Sequence, residues 1–376
     1  MPAPLPIPGS ARRKFLATAI TQPCSDVFPT VLDHLEALVA FDTRAASRAC
    51  PIRALLDYIR THLPHCRVEP ADHGEGVVSM LAVRGQPRRV FAASLDTTPA
   101  AAGWTADPLR LRIANGRAVG LGVCDAKGAA AALLAVANAE RGDFALLFQL
   151  GARTSDGKSI AALVARERGI REAIVAGPTR SEAVLAHRGA SSVLLRFRGN
   201  ASRHAKRWHA RALELVAAES HARFGGMAGL GFEVLDAGGL GGMDLAAVAP
   251  LRFGFGPLPT HDVDALHARF GGCAAPGSLL RYEETSRRPS LPAGDAATVE
   301  ERRMDARDLA DGLDLPIGNA VDFWTPAALF SQAGLTAIAY GPGDIAQAGA
   351  ADESLPLAQL QRYAERIARS LAASAS

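Results

Sequence analysis

One rhythm constrains this chain more than any other feature. Short, almost wholly apolar runs alternate with stretches of helical spacing. The runs are RRVFAASL (88–95), FALLFQL (144–150), REAIVAG (171–177) and TAIAYGPG (336–343). Such runs lack the in–out alternation of a half-exposed strand, so they read as strands covered on both faces. Helices between them supply the cover. The rhythm therefore predicts an α/β fold with a mostly parallel sheet covered by helices. Ahead of it, Val27 to Ala40 has helical spacing and ends in FDTR, and 51–63 forms a second helix. RVEPADHGEGVVSMLAVRG alternates like paired strands around a glycine turn. AVGLGVCDAKGAAAALLAVANAER reads as strand, tight turn and an alanine-rich helix beginning near Lys127.

The rhythm breaks near residue 190. SSVLLRFRG alternates, 205–223 is helical, and GFEVLDAGG, LRFGFGPLP and a helix from Asp262 to Phe270 follow. This predicts a smaller antiparallel α+β unit at 190–285, inserted into an α/β domain made of 26–189 and 286–376. A length of 376 residues supports two cores. Residues 1–25 read as a disordered extension. Arg12, Arg13 and Lys14 precede FLATAI, which is too short for a signal-peptide apolar region, and the leading prolines do not suit one.

Net charge is +3, with Lys and Arg scattered, which is no footprint for nucleic acid. Five cysteines without a CxxC pair fit reduced thiols and a cytoplasmic protein rather than a disulfide frame. No segment approaches the ~20 apolar residues of a membrane span.

Chemistry in such sheets gathers at strand ends. Three stretches qualify: SLDTTP (94–99), GLGVCDAKG (120–128) and AYGPGDIAQAGAADE (339–353). Taken alone, Asp125 reads as a cap for the alanine-rich helix. The glycine turns read as turns. No phosphate loop and no GxSxG elbow is present. Cys124 has no histidine near it in sequence.

Together the stretches carry more. SLDTTPAAAGWTADP, VGLGVCDAKGAAAALLA, PTRSEAVLAHRGASSVLLRF, HARFGGMAGLGFEVLDAGG, LPIGNAVDFWTPAALFS and AYGPGDIAQAGAADESLPLAQLQRY occur in this order over nearly the whole chain after residue 26. In them the chain resembles the di-zinc aminoacylase/deacetylase family, of the acetylornithine deacetylase and succinyl-diaminopimelate desuccinylase type. The resemblance implies amide hydrolysis of N-acetyl amino acids in arginine biosynthesis, with zinc or cobalt as cofactor. It also implies that 190–285 is a lid through which chains dimerise.

In that family two zinc ions are held by a His of an HxD strand end, a bridging Asp, a Glu of a Glu-Glu pair, an acidic residue before Pro-Thr and a late His. The first Glu of the pair activates the bridging water. Carried onto this sequence, the HxD end falls on Ser94 and Asp96, and the bridging Asp on Asp125. The Glu-Glu pair falls on Ala152 and Arg153, the acidic ligand on Gly177, and the late His on Gly349. Asp125 is thus the only retained ligand. Asp96 becomes a second carboxylate whose histidine has gone.

Four good ligands supply on the order of 10–16 kcal/mol for zinc. Alanine and glycine side chains offer no donor. Arg153 would place a fixed positive charge there, worth roughly 4 kcal/mol per unit charge at ~4 Å. It would act as counter-charge for Asp125 and Asp96. In the lid, the expected oxyanion histidine falls one residue late, on His204, with Arg203 in its slot. The lid asparagine falls on Met243. Arg252 is retained and suits a substrate carboxylate. His187 reads as a hinge or core histidine. His34, His62, His65 and His73 lie in the first helices and early strands, away from the strand ends.

Two readings follow. One is a non-catalytic protein without the zinc site, expected to need no cofactor. It binds an N-acetyl amino acid or pairs through its lid as a homodimer or heterodimer. The alternative is an active metal-dependent N-acetyl amino acid deacetylase.

Overall fold

The computed structural model describes residues 27–44, 51–140, 142–151, 157–236 and 250–372. The expectations for 1–25, Ala152, Arg153 and Met243 lie outside those residues.

A six-stranded sheet forms the larger layer. Its order is Arg67–Asp72, Val78–Arg84, Phe144–Leu150, Arg89–Ser94, Glu172–Val175, Thr336–Ala339. The last three pairings are parallel and the first two antiparallel. The predicted glycine hairpin is therefore real, and it makes the sheet mixed at that edge. The four strands that run parallel to one another end side by side, at Ser94, Leu150, Val175 and Ala339.

Helix Val27–Ala40 buries Val31, His34, Leu35, Leu38 and Val39 on one stripe. The alanine-rich stretch forms helix Gly128–Ala139, buried over nearly its whole length. Small side chains on every face let it pack between Val27–Ala40 and the C-terminal helix Leu357–Ala372. Asp125 does not cap it: Asp125 lies in the five-residue turn Val123–Lys127, and the cap residue Lys127 makes no side-chain capping bond.

A separate four-stranded antiparallel sheet has the order Gly231–Asp236, Leu251–Gly256, Ala190–Phe197, Leu279–Arg288. Its core is aromatic. Trp208, from helix Ala201–Ala218, packs 4.6 Å from the Phe253 ring and donates from Nε1 to Phe270 O at 2.8 Å. Among the described residues, no helix is long and apolar enough to cross a membrane.

His187 sits just before strand Ala190–Phe197 and is fully buried. Its backbone bridges to Leu291 and Val321. Its Nδ1 faces Arg188 O at 2.8 Å, while Nε2 accepts from Thr325 N at 3.2 Å. Burial pushes its pKa down to about 4. The imidazole is thus a neutral core group tying three chain segments, as its surroundings in the sequence suggest.

Candidate functional site

The common end of the parallel strands draws the motif stretches together. Backbone bonds carry the ladder past the strand ends, with Leu95 N to Gln149 O at 2.8 Å, Ala176 N to Ala92 O at 2.7 Å and Tyr340 N to Val175 O at 2.9 Å. Ser94, Gly151 and Gly177 are therefore neighbours along one edge, and the turn holding Asp125 and the loop holding Gly349 close over it.

Asp96 is buried, and its Oδ1 accepts from Gly151 N at 2.8 Å. This carboxylate anchors the backbone where 152–156 begins. Ser94 contributes little: its Oγ donates to Asp96 Oδ2 at 3.4 Å, long for a hydroxyl bond, and accepts from Asp96 N at 3.3 Å. Thr97 and Thr43 hydroxyls meet at 3.2 Å and tie the loop after Asp96 to the end of the first helix segment.

The strongest local feature is a residue that motif reasoning passed over. Glu353 is 2% exposed. Its Oε1 accepts from Cys124 N at 2.8 Å and Asp125 N at 3.3 Å; its Oε2 accepts from Gly122 N at 3.1 Å and Gly349 N at 3.4 Å. One carboxylate therefore fixes the Asp125 turn and the late loop together. Burial raises its pKa, and the amide bonds offset only part of that rise. The sequence signal was present as a lone Glu at the end of AYGPGDIAQAGAADE. Nothing local, however, announces partners more than 200 residues away.

Lys127, beside this turn, is 1% exposed and donates from Nζ to Phe41 O at 2.8 Å. Burial pulls its pKa down to about 7, against the attraction of Asp42 and Glu353. Cys124 is buried with Sγ 3.2 Å from Asp344 O, and burial raises its pKa to about 12. It is an inert thiol here.

The two glycine slots differ. A Cβ on Gly177 would approach nothing closer than Thr325 Cγ2 at 3.9 Å. Gly349 has φ +73°, a left-handed conformation that disfavours other residues, and a Cβ there would lie 3.0 Å from Thr98 Oγ1. Among the described residues, no three His, Cys, Asp or Glu side chains come together in a way that could hold a metal ion.

The remaining candidates lie elsewhere. His204 is on helix Ala201–Ala218, stacked on Phe197 at 6.5 Å, with a buried Nδ1 that has no partner among the described residues. Arg252 is exposed in strand Leu251–Gly256, opposite Leu194 in register. His34 packs with Tyr58 and His62. His73, expected away from the strand ends, lies beside them: it meets Ser79 at 2.8 Å, Ser79 pairs with Gln149, and the hairpin turn backs onto Gly151.

This fold and strand-end arrangement define the class. The chain belongs to peptidase family M20/M25/M40, whose pattern matches residues 90–373. Human carnosine dipeptidase 1 shares the fold, with a TM-score of 0.66 at 12% identity over 94% of this chain and 99% of that one. Within the family the chain is a homologue of deacetylases. It is 52% identical over 361 residues to the N-acetyl-L-citrulline deacetylase of Xanthomonas campestris pv. campestris, covering 92% of this chain and 98% of that protein. It is 27% identical over 389 residues to the acetylornithine deacetylase of Myxococcus xanthus, covering 93% and 98%.

Proposed function

We propose that the chain is a non-catalytic member of the deacetylase branch, one that binds an N-acetyl amino acid without hydrolysing it. The observation that carries this is the donor set at the strand-end edge. Ser94 is engaged with Asp96. Gly177 and Gly349 have no side chain to ligate a metal, and both Glu353 oxygens are taken by backbone amides. Zinc needs nitrogen, sulfur or oxygen donors at about 2 Å. These residues do not fit a dinuclear site, and Ala152 and Arg153 in the remaining slots do not improve it.

The packing that surrounds the edge supports a retained frame. The Glu353 cradle, the Asp96 anchor and the buried His187 all tie its segments together. His204 and Arg252, on the 190–285 unit, are the proposed contacts for the ligand's polar groups. That unit is the proposed surface for pairing with a second copy or with an active relative.

The 52% identity to a deacetylase gives the competing reading, an active metal-dependent enzyme, its weight. Metal content after loading with zinc or cobalt, together with acetate release from N-acetylcitrulline and N-acetylornithine, separates the two. The expected result is substoichiometric metal, no acetate, and a ligand-dependent rise in Tm. Two metal ions per chain with acetate release would overturn the proposal.

A further inference from the structure

We propose that a second cleft, at the opposite edge of the six-stranded sheet, binds a free α-amino acid as its zwitterion. The cleft is open to solvent, is lined mainly by polar groups and has a volume of about 850 Å³. Its floor is the first residues of three parallel strands, Arg89, Glu172 and Thr336, which are neighbours in register. One wall is helix Val299–Gly312, which presents Asp305, Asp308, Leu309 and Gly312 at helical spacing. The other rim carries Arg88 and Arg171.

The charges are sorted by wall. Glu172 is engaged, holding Arg89 at 2.6 Å and Arg88 at 3.0 Å. Among the described residues, Arg171 reaches only backbone carbonyls, Arg168 O and Ile170 O. Arg89 keeps a buried Nε without a partner among the described residues. On the facing helix, Glu300 pairs with Arg303 and Asp311 with Arg307 at 3.8 Å. Asp305 and Asp308 face the cleft, and no ion pair within the described residues engages them.

A simple anion would meet the two aspartates, and a simple cation the arginines. A ligand carrying both an ammonium and a carboxylate satisfies both walls, with guanidinium forks suited to the carboxylate. Glycines keep the space open: a Cβ on Gly312 or Gly334 would meet no heavy atom within 4 Å. Exposed charge pairs are weak, so the expected affinity is roughly millimolar.

This inference does not rest on the strand-end site, because an N-acetyl amino acid has lost the ammonium that the aspartates would hold. The test is thermal melting of the full chain with each of the common amino acids at about 10 mM, alongside N-acetylated and carboxamide forms of any that act. A free amino acid should raise Tm by roughly 2 °C, and both blocked forms should not. The Asp305→Asn/Asp308→Asn double variant and Gly312→Leu should abolish the shift while melting cooperatively without ligand. Should Gly312→Leu fail to fold, the double variant decides, since it alters only exposed side chains. The proposal is overturned if no free amino acid shifts Tm, if a blocked form shifts it equally, or if the shift survives the double variant.

Discussion

Glu353 and Gly349 stand four residues apart on one loop and have opposite characters. Around Glu353 each carboxylate oxygen is used, by amides from both the Asp125 turn and its own loop. At Gly349 there is no side chain at all, and the backbone has a conformation suited to glycine. The pair teaches that the frame of a site and its chemistry are separable. The frame depends on burial and backbone hydrogen bonds, whereas the chemistry depends on a few side chains that packing does not need.

Removing the frame should therefore cost far more than altering the slots. Glu353→Ala orphans buried amides in two segments at once and should destabilise by about 4 kcal/mol, read as a lower urea midpoint. A loss under 1 kcal/mol would show that water replaces the carboxylate and that the contrast is false.

His187 tests the frame by pH. Its pKa is about 4 in the folded chain against an ordinary 6.5. Between these values the unfolded chain takes a proton that the folded chain refuses. Its stabilising effect is thus full above pH 6.5 and is lost as pH falls toward 4, by about 3 kcal/mol. His34, with a pKa of about 4, adds to the same trend. His187→Gln should flatten the difference in stability between pH 7 and pH 5 relative to the parent chain. An unchanged slope would remove His187 from the frame.

At the slots the expected effects shrink. Gly349→Ala places a Cβ at positive φ and close to Thr98, and should cost about 1–2 kcal/mol in chemical denaturation. No loss would mean that the late loop relaxes and could accept a ligand side chain again. Ser94→Ala removes only long hydrogen bonds and should change stability by about 0.5 kcal/mol or less. A Tm drop as large as that of Glu353→Ala would place Ser94 in the frame and erase the comparison.

How much of this was legible beforehand varies by element. Helix Val27–Ala40 lies where its periodicity put it, and the apolar runs became adjacent strands. Local spacing is enough there, because it records which face of an element is buried. Asp125 misled as a helix cap, since it sits inside the turn Val123–Lys127, and Lys127 holds the cap position before the helix begins at Gly128. Glu353 and Lys127 were not singled out. Their roles come from partners in other segments, and short-range pattern carries no information about those.

The sequence by itself determined the class of fold, the family, and which residue type occupies each strand-end slot. These are properties of single positions and of their spacing. Tertiary structure alone decided that Asp96 anchors Gly151, that one carboxylate clasps two loops, and that the far edge of the sheet holds opposed aspartates and arginines. Each of those depends on segments distant in the chain being brought within hydrogen-bond or charge range, which only the completed sheet topology fixes.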